Sequence, residues 1–213
     1  MLHEPAADRA RLLDAFERVL RGRRSIRAYR PDPVPRALVE EALAAAAYAP
    51  SPHHSALWRA AVLTRPAARA ALAAAMGAAW RADLAADGVP EARIAAVLAR
   101  SRERLESAPV VVILCTTDER LDRYPDARRQ EAERLMAAQS VGAALQNVML
   151  AAHARGLATC WVCAPLFCPD TIVACLGLDP RLQPQALLTL GYPAAPPPAR
   201  ERLGLSDLVV HWD

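Results

Sequence analysis

The run APVVVILCTT, residues 108–117, constrains the fold more than any other part of the chain. It is rich in β-branched residues and lacks the period-two alternation of a strand that has one face in water. We therefore predict a strand that is buried on both faces. A strand of this kind belongs in the middle of a sheet that is covered on both sides.

Around this strand, long helical patterns alternate with a few short strand patterns. The predicted helices are 9–21, 36–49, 66–106 with a break at 87–90, about 130–155, and 169–178 with Gly177 as its cap. The predicted strands are 59–64, 108–117, 157–164 and 184–192. Strands are too sparse here for a doubly wound repeat, so we predict an α+β fold with a sheet wrapped by helices.

The longest predicted helix is apolar on nearly all sides from Met136 to Ala152. A helix without a polar face is central in a core or buried between subunits. The chain also ends on LSDLVVHWD (205–213), which is apolar enough to need a partner surface. These two segments predict a dimer.

The charge balance excludes several kinds of partner. All 26 basic residues are arginine, and with 23 acidic residues the net charge is +3. This excess is too small to predict nucleic-acid binding, although arginines can still cluster around an anionic small molecule.

The first residues lack a basic segment followed by an apolar run, and no stretch reaches the length of a membrane span. We expect a soluble, cytoplasmic protein that binds neither nucleic acid nor membrane.

Five cysteines, at positions 115, 160, 163, 168 and 175, form an odd set in a chain without an export signal, so we expect no disulfides. Cys160 and Cys163 make a C-x-x-C pair, but a zinc site of that type needs a second pair of ligands. No second C-x-x-C and no H-x-x-x-H accompanies it. Buried apolar cysteines are the favoured interpretation, and we predict no metal.

The basic segment RRSIR, residues 23–27, is the first candidate binding site. In an extended chain Arg23, Ser25 and Arg27 point to one side, where two guanidinium groups and a hydroxyl can hold a phosphate. The alternative is a solvated basic linker between helices.

Two adjacent histidines, His53 and His54, lie in a turn that contains Pro50 and Pro52. Imidazole titrates near neutral pH, so either histidine can serve as a proton donor or as an anchor for an anion. A hydrogen-bonding cap in the turn is the alternative. His153, on an apolar helix, is interpreted as a core histidine.

An ordered set of segments resembles the flavin-dependent nitroreductase family: RRSIRAYRPDPVPRALVEEALAAAAYAPS, then Trp58 before a strand, then AAHARGLATCWV and LLTLGYP. The similarity covers almost the whole chain. It implies an α+β nitroreductase-like fold with a mostly antiparallel central sheet, one domain over 1–213 with 193–213 as a C-terminal arm, and an intertwined homodimer with FMN at the interface.

The resemblance also implies which residues contact FMN. Arg23, Arg24, Ser25 and Arg27 would hold its phosphate, ribityl chain and pyrimidine edge. Pro50, Ser51 and the segment to His54 would come from the partner chain. The flavin ring would pass Trp161, Val162 and Cys163, and Arg202 would reach the phosphate, with Arg200 as a competitor. Where most members carry Asn, Gln and Pro, this chain has His54, Ala56 and Leu57.

Five further segments, APSPHHSALW, WRADLAADGVP, YPDARRQEAE, VGAALQ and CWV, resemble the C-terminal nitroreductase-like domain of the bifunctional coenzyme F420 γ-glutamyl ligase. This similarity implies FMN-dependent reduction of the enolpyruvyl double bond of dehydro-F420-0, a deazaflavin precursor. His54 and His53 are then the candidate catalytic residues. The candidate substrate-binding residues are Tyr124, Asp126, Arg128, Arg129 and Trp80, although Asp126 can equally form a loop salt bridge and Trp80 can simply pack.

Two other functions fit the same residues. One is a broad-specificity NAD(P)H-dependent nitro or quinone reductase, because a nicotinamide that stacks on the flavin needs no G-x-G-x-x-G turn. The other is a flavin or F420 binding protein without turnover. Oxygen-dependent flavin breakdown, which another branch of the fold performs, is a related outcome.

Overall fold

Four antiparallel strands form the centre of the molecule in a computed structural model, which describes residues 6–197 and 201–213. The strands are β1 (Trp58–Leu63), β2 (Val110–Thr117), β3 (Ala158–Val162) and β4 (Leu182–Gly191). Their order across the sheet is β1-β2-β4-β3. Each end lies within two residues of the predicted position, and the α+β class with an antiparallel sheet is confirmed.

The helices are α1 (Ala6–Gly22), α2 (Arg36–Ala44), α3 (Pro66–Ala86), α4 (Glu91–Ser107), α5 (Ala127–Ala154), α6 (Pro169–Leu176) and α7 (Leu205–Leu208). Helices α2 and α5 pack on one face of the sheet, and α3, α4 and α6 pack on the other. The helix predicted over 36–49 tightens into a 3₁₀ turn at Ala45–Tyr48. The long helix begins earlier than predicted, because the Asp126 side chain accepts a hydrogen bond from the backbone N–H of Arg129 and so caps its first turn.

Strand β2 is buried along its whole length, as predicted. Val110, Val112 and Leu114 pack with α2 and α5 on one face of the sheet. Val111 and Ile113 pack with α3, α4 and α6 on the other. Because adjacent side chains on a strand point to opposite faces, one apolar run serves both layers of the core.

Helix α5 packs against this core along one stripe. Ala137, Val141, Leu145 and Val148 are fully buried, whereas Leu135 is exposed. Contrary to the expectation from the sequence, α5 is long and apolar enough to cross a membrane by length and composition alone, but the buried core helix of a soluble protein passes the same test. The prediction that part of α5 lies between subunits stays a prediction.

Two apolar surfaces are exposed in the single chain. One is on α1 and comprises Leu12, Leu13, Phe16 and Leu20. The other is on the C-terminal segment 201–213 and comprises Leu203, Leu205, Leu208, Val210 and Trp212. Exposed apolar residues at this density are typical of a protein–protein interface.

Candidate functional site

The predicted phosphate-binding segment is extended and lies beside strand β3. Ser25 forms a parallel bridge with Thr159, and the backbone N–H of Ile26 donates to the Thr159 carbonyl at 3.0 Å. These contacts hold Ser25 and Ile26 against the sheet. The prediction that Arg23, Ser25 and Arg27 point to one side stays a prediction.

Three arginines from two distant parts of the chain lie close together at this edge. Burial lowers the pKa of the Arg23 guanidinium, and the positive charges of Arg202 and Arg24 lower it further. Within residues 6–197 and 201–213, none of the three forms an ion pair with a carboxylate. Like charges that repel one another and have no carboxylate partner favour a bound anion, because the anion offsets their mutual repulsion. Arg200, the alternative to Arg202, lies outside the described residues.

His153 at the end of α5 borders the same cluster. Burial lowers the pKa of its imidazole, and Arg23 and Arg24 lower it further. Gly22 makes the close approach possible, because a β-carbon there would lie 2.6 Å from His153 Nε2. His153 is therefore partly buried and also in contact with the candidate anion site, which its helical pattern did not predict.

Tyr29 anchors the arginine segment to the sheet. Its hydroxyl donates to the Ile26 carbonyl at 2.6 Å and lies 2.7 Å from the Thr189 hydroxyl of β4. Burial raises the pKa of the Tyr29 phenol, so this group stays protonated. The bond to Ile26 fixes the conformation in which the neighbouring arginines are presented.

A cavity of about 670 Å³ opens beside the end of β3. Val162 and Cys163 line it together with Trp80 of α3, so the structure unites one predicted substrate residue with two predicted flavin contacts. Its charged and polar lining residues are Asp83, Asp87, Arg100, Ser101 and Arg104. Its other lining residues are Met76, Leu84, Val97, Ala164, Phe167 and Cys168. This mixture of apolar walls and a few charged groups is typical of a small-molecule site.

Trp161 points to the opposite face of the sheet from Val162 and packs against the cluster formed with α2 and α5. A β-carbon on Gly142 would lie 3.5 Å from the Trp161 ring. The indole Nε1 is buried and has no hydrogen-bond partner in the described part of the chain. A buried donor without an acceptor is costly, so this N–H calls for an acceptor from outside the described part of the chain.

The histidine turn has an unusual backbone. His53, His54 and Ala56 all have positive φ angles, of 53°, 52° and 44°. Each such residue lowers the stability of the fold by about 1–3 kcal/mol and persists only where its surroundings hold it. Such strain concentrates at functional sites. Ser51 Oγ helps to hold the turn by accepting from the Ala56 N–H at 3.1 Å.

The two histidines have different surroundings. His53 Nε2 lies 3.5 Å from an oxygen of Asp122, on the loop that precedes α5. His54 is exposed, as is Pro50. Neither histidine lines the cavity beside Cys163 in the same chain. Their catalytic roles, and the partner-chain role of the turn, stay predictions.

The remaining predicted substrate residues lie together at the start of α5, away from that cavity. Asp126 caps the helix and pairs with Arg129, and the hydrogen bonds from Arg129 hold the pKa of the Asp126 carboxyl below its usual value. The Arg129 guanidinium lies over the Tyr124 ring, 5.1 Å from its centre. These three residues thus contact one another, and Arg128 is exposed beside them. Their binding of substrate stays a prediction.

The C-x-x-C cysteines are free thiols in different environments. Cys160 is buried, which raises the pKa of its thiol, whereas Cys163 is exposed at the mouth of the cavity. Burial also raises the pKa of Cys115 to about 11. Cys160 and Cys115 are inert core residues by these criteria.

Sequence reasoning missed the charged residues of α3 and α4 that line the cavity. Arg100 and Arg104 are four residues apart on α4, and Asp83 and Asp87 have the same spacing at the end of α3. That spacing places each pair on one face of a helix. The signal was present, but in arginine-rich helices it resembles an ordinary solvated face.

Comparison with known proteins identifies the class. The model of the Nitroreductase family matches residues 20–192. A "NADH dehydrogenase" of Thermus thermophilus is 35% identical over 212 residues, which cover 94% of this chain and 97% of that protein. The 5,6-dimethylbenzimidazole synthase of Rhodospirillum rubrum is 32% identical over 210 residues, or 93% of this chain and 92% of the synthase. This chain belongs to the Nitroreductase family.

A solved structure extends the comparison to the fold. The FMN-dependent nitroreductase NfnB of Mycobacterium smegmatis, determined with NADPH, superposes with a TM-score of 0.71 and is 26% identical, covering 95% of this chain and all of that chain. FMN is the typical cofactor of the family, as predicted, and its members are typically homodimers. The arginines without carboxylate partners and the orphaned Trp161 N–H fit a phosphorylated, acceptor-rich cofactor of this kind. The narrower resemblance to the F420 enzyme has no support among these relatives.

Proposed function

We propose that this protein is an FMN-dependent oxidoreductase that takes reducing equivalents from NADH or NADPH and passes them to a small organic acceptor, such as a quinone or a nitroaromatic compound. The observation that carries this proposal is the convergence of Arg23, Arg24 and Arg202 into one cationic cluster next to the strand that leads to the cavity. The T. thermophilus and M. smegmatis relatives support the choice of electron donor.

In this proposal the cationic cluster binds the FMN phosphate, and Ser25 and Arg27 bind the ribityl chain and the pyrimidine edge. Trp161, Val162 and Cys163 lie along the ring, and a second copy of the chain contributes Pro50, Ser51 and His54. When bound, FMN supplies hydride transfer between the nicotinamide and the acceptor. The protein supplies binding, orientation and exclusion of water.

The cavity beside Cys163 is the proposed acceptor site. Trp80 and Phe167 provide flat apolar surfaces for a planar acceptor, and the size of about 670 Å³ suits a small aromatic molecule. Arg100 and Arg104 can stabilise negative charge that develops on the acceptor as it is reduced.

A second candidate function is reduction of the enolpyruvyl double bond of dehydro-F420-0. The same arginine pair favours it, because the substrate carries a carboxylate and a phosphodiester that paired guanidinium groups can bind. Reduction adds a hydride to the methylene carbon and a proton to the carbon that bears the carboxylate. His54 or His53 is the candidate proton donor, and Tyr124, Asp126, Arg128 and Arg129 are candidates for binding the anionic tail. We also propose a homodimeric, cytoplasmic protein with one domain over 1–213.

The experiment is to load the full chain with FMN, reduce it with NADH or NADPH without oxygen, and add each acceptor separately. A quinone, a nitroaromatic compound and dehydro-F420-0 are compared by flavin reoxidation and by the mass of the product. Arg104→Met is tested in parallel, with Arg102→Met as control, since Arg102 pairs with Glu106 on the exposed side of the same helix.

Rapid reduction by the nicotinamide and reoxidation by quinone support the first function. Reoxidation by dehydro-F420-0 alone, with a gain of two hydrogens in the product, supports the second and refutes the first. Loss of the flavin in oxygen with release of 5,6-dimethylbenzimidazole refutes both. We expect Arg104→Met to slow acceptor reduction by about ten- to a hundredfold and Arg102→Met to leave it unchanged.

A further inference from the structure

Three side chains capable of binding a metal meet between the histidine turn and helix α5. They are His53 of the turn, Asp122 of the loop before α5, and Glu133 in the second turn of α5. One ligand atom from each lies within 4.8 Å of the others. His53 and Asp122 are exposed, whereas Glu133 is 1% exposed.

Glu133 is an acidic side chain whose charge nothing offsets in the described part of the chain. One carboxylate oxygen accepts a long hydrogen bond, of 3.3 Å, from the backbone N–H of Asp122. The other oxygen is buried and has no partner among the described residues. No described arginine forms an ion pair with Glu133, and Asp122 brings a second carboxylate close to it. A buried carboxylate is costly unless it is paired, hydrogen-bonded or bound to a metal, and a cation at this position would remove that cost.

The distance between His53 and Asp122 suits a shared cation. Ligands at 2.0–2.2 Å from a tetrahedral metal lie about 3.3–3.6 Å apart. His53 Nε2 and Asp122 Oδ2 are 3.5 Å apart, which matches this spacing and is too long for a good hydrogen bond. Glu133 is held by the core, while the exposed His53 and Asp122 side chains can rotate to close the remaining distance.

We propose that His53, Asp122 and Glu133 bind one divalent metal ion. A set of one imidazole and two carboxylates is suited to Zn²⁺ or Mn²⁺, and not to the soft ions that prefer thiolates. The dication neutralises both carboxylates and ties the strained histidine turn to the loop that precedes α5. The site does not depend on the proposed redox reaction, and it makes His53 a ligand, which leaves His54 as the candidate proton donor.

The test uses the full chain after removal of metal with a chelator. Mn²⁺ is the first probe, because this hard cation avoids the five cysteine thiols. Binding is followed by loss of the free Mn²⁺ signal in electron paramagnetic resonance. We expect one Mn²⁺ per chain, and we expect Zn²⁺ to raise the melting temperature of the same sample.

Variants separate this site from non-specific binding. Glu133→Gln keeps the shape and the acceptor for the Asp122 N–H but removes the charge, and His53→Ala removes the nitrogen ligand. Each is expected to weaken Mn²⁺ binding by at least about tenfold. His54→Ala is the matched control from the same turn, also at a positive φ, and is expected to bind Mn²⁺ as the natural protein does.

Two results overturn the proposal. The first is the absence of stoichiometric Mn²⁺ binding by the natural chain, which would mean that these three side chains do not form a metal site. The second is equal Mn²⁺ binding by the natural chain and by Glu133→Gln. Should Glu133→Gln fail to fold, Asp122→Asn on the exposed loop replaces it, and unchanged binding by that variant refutes the site equally.

Discussion

Arg23 lies in surroundings that disfavour its own charge. Burial and the neighbouring charges of Arg202 and Arg24 lower the pKa of its guanidinium, so in the protein without ligand this charge destabilises the fold. An anionic phosphate reverses the balance, because it converts repulsion into charge-assisted hydrogen bonds. The residue is therefore expected to matter for binding and not for folding.

This expectation gives a direct test. Arg23→Met keeps most of the length of the side chain and removes the charge. We expect FMN to bind about ten- to a hundredfold more weakly, while the unfolding free energy of the FMN-free protein stays the same or rises. Equilibrium dialysis and urea unfolding measure the two quantities. Arg18→Met, on the exposed face of α1 where Arg18 pairs with Asp14, is the control and should leave FMN binding unchanged.

His153 predicts a pH dependence at the same site. The pKa of its imidazole is lowered in the folded protein, chiefly by burial, so the unfolded state binds more protons below the unperturbed pKa of about 6.5. The stabilisation from neutral His153 is thus fully present above that pH and is lost as the pH falls below it.

The measurement is urea unfolding of the FMN-free protein at several values between about pH 5 and pH 7.5, compared with His153→Gln. The difference in unfolding free energy between the natural chain and the variant removes the contribution of the other titrating groups. We expect the natural chain to lose stability relative to the variant as the pH falls. A difference that is constant across this range would contradict the assignment.

At the scale of elements, Tyr29 connects the arginine segment to the sheet. Its hydroxyl contacts the Ile26 carbonyl beside the arginines and the Thr189 hydroxyl of β4, which lie far apart in the sequence. Ser25 and Ile26 add backbone contacts to β3. The segment behaves as an added edge of the sheet, although only isolated bridges pair it.

We expect Tyr29→Phe to lower the unfolding free energy by about 1–3 kcal/mol, because the Ile26 carbonyl loses its side-chain donor and the Thr189 hydroxyl keeps only its bond to the Cys160 carbonyl. It should also weaken FMN binding, since the arginines are no longer held in place. Tyr48→Phe is the matched control, because Tyr48 is 86% exposed. Equal stability of the two variants in denaturant titration would show that the Tyr29 hydroxyl does not anchor the segment.

At the scale of the whole molecule, the single chain leaves too much apolar surface in water. Leu13 and Phe16 of α1 are more than half exposed, and Val210 and Trp212 of the C-terminal segment are almost fully exposed. Burial of these surfaces against a second chain would recover about 25 cal/mol for each Å² removed from water. The homodimer proposed above supplies such a partner.

We expect sedimentation equilibrium to give a dimer for the natural chain. The double variant Leu13→Glu, Phe16→Glu should shift it towards monomer, because two charges cannot be buried in an apolar interface without partners. FMN occupancy should fall in parallel if the second copy contributes to the cofactor site. Val62→Glu places a charge on an exposed apolar position of β1, at the far edge of the sheet, and should remain dimeric.

Much of the fold could be predicted from local patterns. The β-branched run 108–117 indicated a strand buried on both faces, and residues 110–117 form one. The helix predicted over 36–49 is too long, since α2 ends at Ala44 and a 3₁₀ turn follows at Ala45–Tyr48. A run of alanines favours both helical geometries, and no local feature of the sequence specifies the change from one to the other. The family followed from motifs in a fixed order, whereas the substrate suggested by the narrower resemblance did not receive support.

The sequence by itself determined the order and type of the main helices and strands, because periodicity and β-branching act between near neighbours. Only the tertiary structure decided which charges meet. Arg202 lies near Arg23, and Trp80 and Cys163 line the same cavity. Glu133 is buried beside His53, although the residues around Glu133 in the sequence are typical of a solvated helix face. Each of these pairs joins residues dozens of positions apart in the sequence. Their interaction energies depend on burial in the folded protein, which no local sequence pattern specifies.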